Sequence, residues 1–520
     1  MKKIVIHPIT RIEGHLKVEV TVDNGKVADA NIAGTLFRGI ELILRGRDPR
    51  DAVIISQRIC GVCPEPHAIA SVWALEDCMN LEDKIPENGI LLRNIIQGTR
   101  TVADHILHFY ILSGLDYVDP LKVLDYEGKD INLNALKSFL QNGYTAPFLP
   151  RDEMDYRLDK KTTIEVASHY LKALDIYKKA QEAATIFGGK WPHDCAIVGG
   201  GVSEKVTSDK ISSFLWRLEV IEDFVKNYYI PDVIAIAITY NDYLEIGKGC
   251  QKLLAYGGYR IKSNGLYNDL LIGRGTVKNI DRLDTLDVES IAEDIEHSYY
   301  ENAKAQTQPL NPKEGVTSPK ALKEQAYSWI KSPRYKGETY EVGPLAGVLV
   351  TYLGKDNNLV KELVDSSLSQ IGGNISNLYS VMGRHLTRAI MATILCEYLK
   401  IWAKELKPGE PAASSYTPVP EGEGIGLTEA PRGALGHWLK VENERISNYQ
   451  VITPTAWNAS PKDRNKNPGP IEQALIGTSI KESPSPIEVL RIIRSFDPCT
   501  ACAVHLLSTK GNLIGKYKVV

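Results

Sequence analysis

Residues 15–34, "HLKVEVTVDNGKVADANIAG", alternate apolar and polar on both sides of Asp23-Asn24-Gly25. A period of two turns one face of each strand inward, and Asn-Gly is a strong hairpin signal, so two antiparallel strands are expected. The period then changes. In "NGILLRNIIQGTRTVADHILHFYILSGLD", Leu92, Ile95, Ile96, Val102, Ile106 and Phe109 recur at three- and four-residue steps, the stripe of a helix. Comparable runs cover about 162–187, 207–229 and 357–405, the last divided near Gly372-Gly373. A final helix, "SPSPIEVLRIIRSF", opens with Ser and Pro capping signals and stops at Asp497-Pro498. Two stretches, "LKPGEPAASSYTPVPEGEGIG" and "NASPKDRNKNPGP", have no period; loops of that length are commonly functional or wrapped over a partner. The pattern predicts an α+β fold, predominantly helical.

Composition narrows the class without naming a function. The chain has 520 residues, 43% hydrophobic and 24% charged, which suits a globular protein with a large core. The formal net charge of −3, without blocks of like charge, gives no reason to expect nucleic acid. No apolar run is long enough to span a bilayer, and "MKKIVIHPITRIEGH" lacks the apolar core of a signal peptide. Membrane association and export are therefore expected only through partners.

Eight cysteines are too few for a disulfide scaffold. Four stand alone and four form two Cys-x-x-Cys pairs, Cys60/Cys63 and Cys499/Cys502. Two thiolates so spaced can chelate one ion from one turn, and two such turns complete a four-sulfur shell. Zinc ribbons keep their pairs close, whereas 436 positions separate Cys63 from Cys499. A shared catalytic metal site is favoured on spacing, with structural zinc and two separate dithiols remaining open. His67 and His505 follow the two pairs and can ligate metal or hydrogen-bond a thiolate. Glu13 in "TRIEGH" and Glu41 in "TLFRGIEL" fall on expected strands or strand ends, and Arg432 in "EAPRGALGHW" follows a long loop. Each of these alone reads as an ordinary surface charge.

Taken together, "RICGVC" and "DPCTACAVH" resemble the large, catalytic subunit of nickel–iron hydrogenases, most nearly the respiratory, uptake-type members. The likeness runs through "TRIEGHL", "FRGIE", "RICGVCPEPHA", "DHILHFY", "FGGKWPHDCAIVGG", "EAPRGALGHW" and "YQVITPTAWN", in the family's order. Ala456, where a threonine is expected, and Cys195, where apolar or proline-rich residues are commoner, depart from the pattern but not at ligand positions.

The resemblance implies a central long-helix bundle with small peripheral sheets, one unit over residues 1–505. It implies nickel on Cys60, Cys63, Cys499 and Cys502, with Cys63 and Cys502 shared by an iron carrying carbon monoxide and two cyanides. Hydrogen would be split heterolytically, the proton leaving through Cys499 to Glu13. Arg432, Asp104 and Asp497 match a charged canopy; Thr455, Pro431 and His67 match cofactor-binding positions, Thr455 as a residue that bonds a cyanide nitrogen. Glu41, the carbonyl of Val451 and His505 match a magnesium site.

Further expectations follow from the family. The partner would be a small subunit carrying iron–sulfur clusters, exported with this chain to the periplasm or the outer face of the cytoplasmic membrane. Before export the precursor would be cytoplasmic, served by nickel-delivery factors and a maturation endopeptidase. That endopeptidase would cut after His505, making residues 506–520 a maturation tail. A rival reading is a non-catalytic relative, such as the quinone-site subunit of respiratory complexes, which lacks the cysteines.

Overall fold

The computed structural model describes residues 2–145, 148, 155–261, 265–354, 357–481 and 486–503, with only the backbone of the last two. The amino-terminal hairpin forms as the alternation predicts. Strands Leu16–Asp23 and Lys26–Gly34 pair antiparallel from Leu16↔Gly34, and Lys2–Ile6 pairs with the outer edge of the first. Leu16, Val18 and Val20 face the core, and Asn24 and Gly25 take the positive φ values (49° and 76°) of the tight turn.

Long helices make the centre. Glu87–Leu107 packs on Val381–Glu405 and on Lys160–Gly188, and Ser208–Phe224 packs on the last two. The first two are buried on almost every side, so they carry core on all faces. The 357–405 run divides as expected: Asn358–Gln370 ends at Gly372 (φ 64°), and a 3₁₀ turn, Ile375–Leu378, leads into Val381–Glu405. The 207–229 run continues beyond its expected end, through a π turn at Val225–Tyr229 into Ile230–Thr239.

Two expectations need correction. The end of the stretch 406–426 is no loop: Gly422–Ala430 is a strand, the first of a meander with Gly433–Glu442 and Arg445–Ile452. Its alternate glycines hid the pattern, and packing explains them. A Cβ on Gly424 would lie 2.0 Å from the Ala74 carbonyl oxygen, and one on Gly426 1.8 Å from that of Ala70. Bare backbone is what lets this strand lie against the helix Pro64–Met79. Glu41, expected on a strand, lies in the first turn of the short helix Ile40–Leu44.

One hydrophobic core takes in residues from Ile9 to Cys499, and a satellite cluster sits around Leu115, Leu133 and Leu140. The final helix, Ile487–Ser495, begins after Pro486 without a side-chain cap; Ser483 and Ser485 lie outside the described residues. Its end delivers Cys499 into the core beside the amino-terminal segment. There Glu13 and Cys499 form an isolated parallel bridge.

Candidate metal centre

Each cysteine turn is built by local rules. Gln57–Ile59 is a single 3₁₀ turn that releases Cys60 into extended backbone, and Cys63 is the residue before the helix Pro64–Met79, which starts on proline. The turn between them points two backbone N–H groups at one sulfur: Val62 and Cys63 donate to Cys60 Sγ at 3.3 and 3.0 Å. At the other chain end, the Cys499 N–H donates to Thr455 Oγ1 at 2.9 Å. The Thr500 N–H and hydroxyl both donate to the Glu13 carbonyl, at 2.8 and 3.1 Å. Gly14 permits that approach, because a Cβ there would meet Ala501 N at 2.4 Å.

The result is three buried sulfurs side by side. Cys63 Sγ and Cys499 Sγ lie 2.8 and 3.4 Å from Cys60 Sγ, all three sulfurs fall within 4.8 Å of one another, and the residues are at most 3% exposed. Thiolates so close repel in low dielectric unless a cation sits among them, and soft sulfur donors select a soft transition metal. The donor set fits nickel and iron. Cys502 lies in the helical turn Thr500–Ala503, but its side chain and the whole of His505 fall outside the described residues.

Arg432, Asp497 and Asp104 come together as expected. The Arg432 guanidinium lies 3.2 Å from Asp497 Oδ1 and 3.5 Å from Asp104 Oδ2, and its Nε donates to the Asp497 carbonyl at 3.1 Å. Burial works against its charge, but Asp497 and the Cys63 and Cys499 sulfurs outweigh it and hold its pKa above the ordinary arginine value. Both terminal nitrogens of Arg432, both oxygens of Asp104 and Oδ2 of Asp497 are buried without a hydrogen-bond partner among the described residues. These groups meet as ion pairs at 3.2–3.5 Å, so charge rather than hydrogen bonding balances them in the core. Burial lifts Asp104 to about 7, against the pull of Arg100 and Arg432.

Burial also raises Glu13, helped by charge on Cys60 and opposed by Arg432 and Arg38. It lowers His67 to about 4, so this ring is neutral near pH 7. His67 Nδ1 lies 3.1 Å from His437 Nε2, whose other ring nitrogen lies 2.7 Å from the Tyr449 hydroxyl. Pro431 is buried in the turn beside Arg432.

At the expected magnesium site, Glu41 and Val451 do meet. The contact shown is the Val451 N–H donating to Glu41 Oε1 at 2.9 Å, not its carbonyl. Thr317 also donates to Glu41, and Lys331 stands 3.9 Å away while bonding Glu293 at 2.9 Å.

A buried pair that no sequence motif singled out adjoins Asp104. Arg100 lies 3.3 Å from Glu65 and 3.4 Å from Asp104, under the Trp191 ring at 3.6 Å. Arg100 and Asp104 stand four apart on one helix, a spacing that signals a pair. Glu65, raised to about 7 by burial, had no such signal.

A family model described as nickel-dependent hydrogenase matches residues 38–505, and one described as HoxL-like matches 3–33. The chain belongs to the nickel-dependent hydrogenases. It is 38% identical to the periplasmic [NiFeSe] hydrogenase large subunit of Desulfomicrobium baculatum, over 97% of this chain and 95% of that one. It is 35% identical to the uptake hydrogenase large subunit of Rhodobacter capsulatus, over 100% and 97%. A solved [NiFeSe] hydrogenase variant from Desulfovibrio vulgaris Hildenborough superposes with a TM-score of 0.87 at 38% identity, covering 97% and 99%. This hydrogenase large subunit has cysteine at all four paired positions, so the selenium in those names is not carried across. The quinone-site alternative is not favoured. No helix among the described residues is long and apolar enough to cross a membrane.

Proposed function

We propose that this hydrogenase oxidises molecular hydrogen reversibly to protons and electrons between its two cysteine pairs, and hands the electrons to an iron–sulfur small subunit. The observation that carries the reading is the convergence of Cys60, Cys63 and Cys499, from opposite chain ends, beneath the Arg432–Asp497 pair. Cys60, Cys63, Cys499 and Cys502 would hold nickel, with Cys63 and Cys502 sharing an iron that carries carbon monoxide and two cyanides. When bound, this pair of metals supplies the soft, redox-active centre at which hydrogen is cleaved heterolytically.

The chain's own residues manage the proton and exclude water. Cys499 Sγ accepts the proton and Glu13 receives it at its carboxylate. That carboxylate rides on a segment bonded directly to the Cys499 turn, and burial raises its basicity towards the working pH. Arg432, with Asp497 and Asp104, keeps a charged, dry roof over the sulfurs, flanked by Pro431. Thr455 spends its oxygen on the Cys499 N–H, which leaves its O–H to donate towards a cyanide nitrogen. Neutral His67, held by His437, feels the charge of Cys60, which supports a place for it beside the cysteine cluster.

Glu41, the Val451 carbonyl and His505 would hold magnesium, once Lys331 and the Val451 N–H no longer share the carboxylate. The chain has no further cysteine pairs to hold a relay cluster, which supports a partner subunit for electron exit. The name of the Desulfomicrobium relative supports a periplasmic location, reached with that subunit after processing by nickel-delivery factors and an endopeptidase.

Glu13→Gln tests the proton path. It keeps size and hydrogen bonding but removes the base, so metal content should stay while hydrogen-dependent dye reduction falls roughly 10²-fold. Wild-type turnover would show that protons leave elsewhere.

A further inference from the structure

The two cysteine turns arrive from opposite ends of the chain, and one side chain that ligates nothing joins them. Arg38 stands partly buried between the strand Lys26–Gly34 and the helix Ile40–Leu44. Its guanidinium donates to the Arg58 carbonyl at 2.9 Å, to the Ile59 carbonyl, and to the Ala501 carbonyl at 2.5 Å. Ile59 immediately precedes Cys60, and Ala501 immediately precedes Cys502. One planar cation therefore grips the backbone next to both pairs.

The acceptors explain why an arginine is there. Arg58 and Ile59 belong to the 3₁₀ turn that ends at Cys60, and the last carbonyls of a helical turn lack partners within it and favour a positive charge. Three acceptors on two chain segments need a forked donor; a lysine ammonium is a point charge on a flexible stem and cannot hold that fan. Elsewhere the carboxyl-terminal turn is tied to Glu13 by Thr500 and to Thr455 by Cys499, neither of which reaches the Cys60 turn. Arg38 adds a backbone-directed link between the two turns, beside the Cys60–Cys499 sulfur contact at 3.4 Å.

We propose that Arg38 is a latch: by holding the Ile59 and Ala501 carbonyls on one guanidinium, it keeps the carboxyl-terminal cysteine turn seated on the amino-terminal one. It is a positioning residue, and retention of the bound metals depends on it although it donates no ligand. The metal part of this rests on the nickel reading above; the seating of the turn does not.

The test uses the complex of this chain with its small subunit, as wild type, Arg38→Met and Arg38→Lys. Nickel release into excess chelator and amide exchange of a peptide spanning Cys499–Ala503 are followed separately. Arg38→Met should release nickel roughly ten-fold faster or more, the scale for losing an outer-shell partner of a metal site. The peptide should exchange faster, with Arg38→Lys between Met and wild type in both readouts. Wild-type rates in both variants would overturn the latch. If Arg38→Met does not accumulate, Arg38→Lys decides: faster release and exchange support the proposal, and wild-type rates refute it. A wild-type complex without nickel would defeat the metal reading, while the exchange comparison would still judge the latch.

Discussion

Asp116→Asn should damage the fold through one buried charge that is itself no ligand. Asp116 Oδ1 lies 2.5 Å from Arg11 Nη2 and 2.6 Å from Arg494 Nη1, with side-chain exposures of 1% for Asp116 and Arg494. Arg494 also donates to the Thr10 carbonyl and hydroxyl, at 3.2 and 3.1 Å. The carboxylate thus ties the segment that carries Glu13 to the helix that delivers Cys499. Arg11 holds a φ of 58°, unusual for a side chain of its kind, and needs that anchor. Asparagine is isosteric but leaves two guanidinium groups facing each other without a counter-charge. Breaking a buried pair in this way costs about 3–5 kcal/mol.

Unfolding entropy near 2.1 cal/mol/K per residue gives ~1 kcal/mol/K over 520 residues, so the transition should fall by about 3–5 °C. Burial works to raise the pKa of Asp116, but Arg11 and Arg494 outweigh it and hold it below the ordinary carboxylate value. Stability from a depressed carboxylate is fully present above its unfolded pKa of about 3.9 and lost as pH falls through the folded value. The deficit of the variant should therefore be full near pH 7 and shrink in acid. Calorimetric scans at one fixed rate compare the two proteins at several pH values. A transition within about 1 °C of wild type at pH 7 would refute the reasoning, as would a deficit that persists unchanged in acid.

Gly14→Ala should push the Glu13 segment off the cysteine turn, because Gly14 has φ 85° and a Cβ would lie 2.4 Å from Ala501 N. The expected result is a protein with less bound nickel and a lower thermal transition; unchanged values would show that the turn yields freely. Intact-mass analysis of active enzyme should find the chain ending at His505, shorter by fifteen residues and by Lys510, Lys516 and Lys518. A mass ending at Val520 would contradict the maturation cut.

The sequence showed the hairpin and the central helices because both bury one repeating face, and the cysteine pairs because chelation demands their spacing. It concealed the meander from 422, where close packing on a helix replaced the expected side chains with Gly424 and Gly426. The roof of the site was legible through resemblance, in Arg432, Asp104 and Asp497. The Glu65–Arg100 contact was not, because it joins separate helices and no local pattern records such a contact. Arg38 stood in a quoted block, yet its acceptors are backbone carbonyls, which sequence cannot assign to a donor.

Whether two cysteine pairs from opposite chain ends hold one nickel–iron centre is decided by metal analysis of the purified complex combined with infrared spectroscopy. About one nickel per large chain is expected, with bands from iron-bound carbon monoxide and cyanide that vanish in Cys63→Ser, where a ligand shared by both metals is lost. Stoichiometric zinc without those bands would contradict the account.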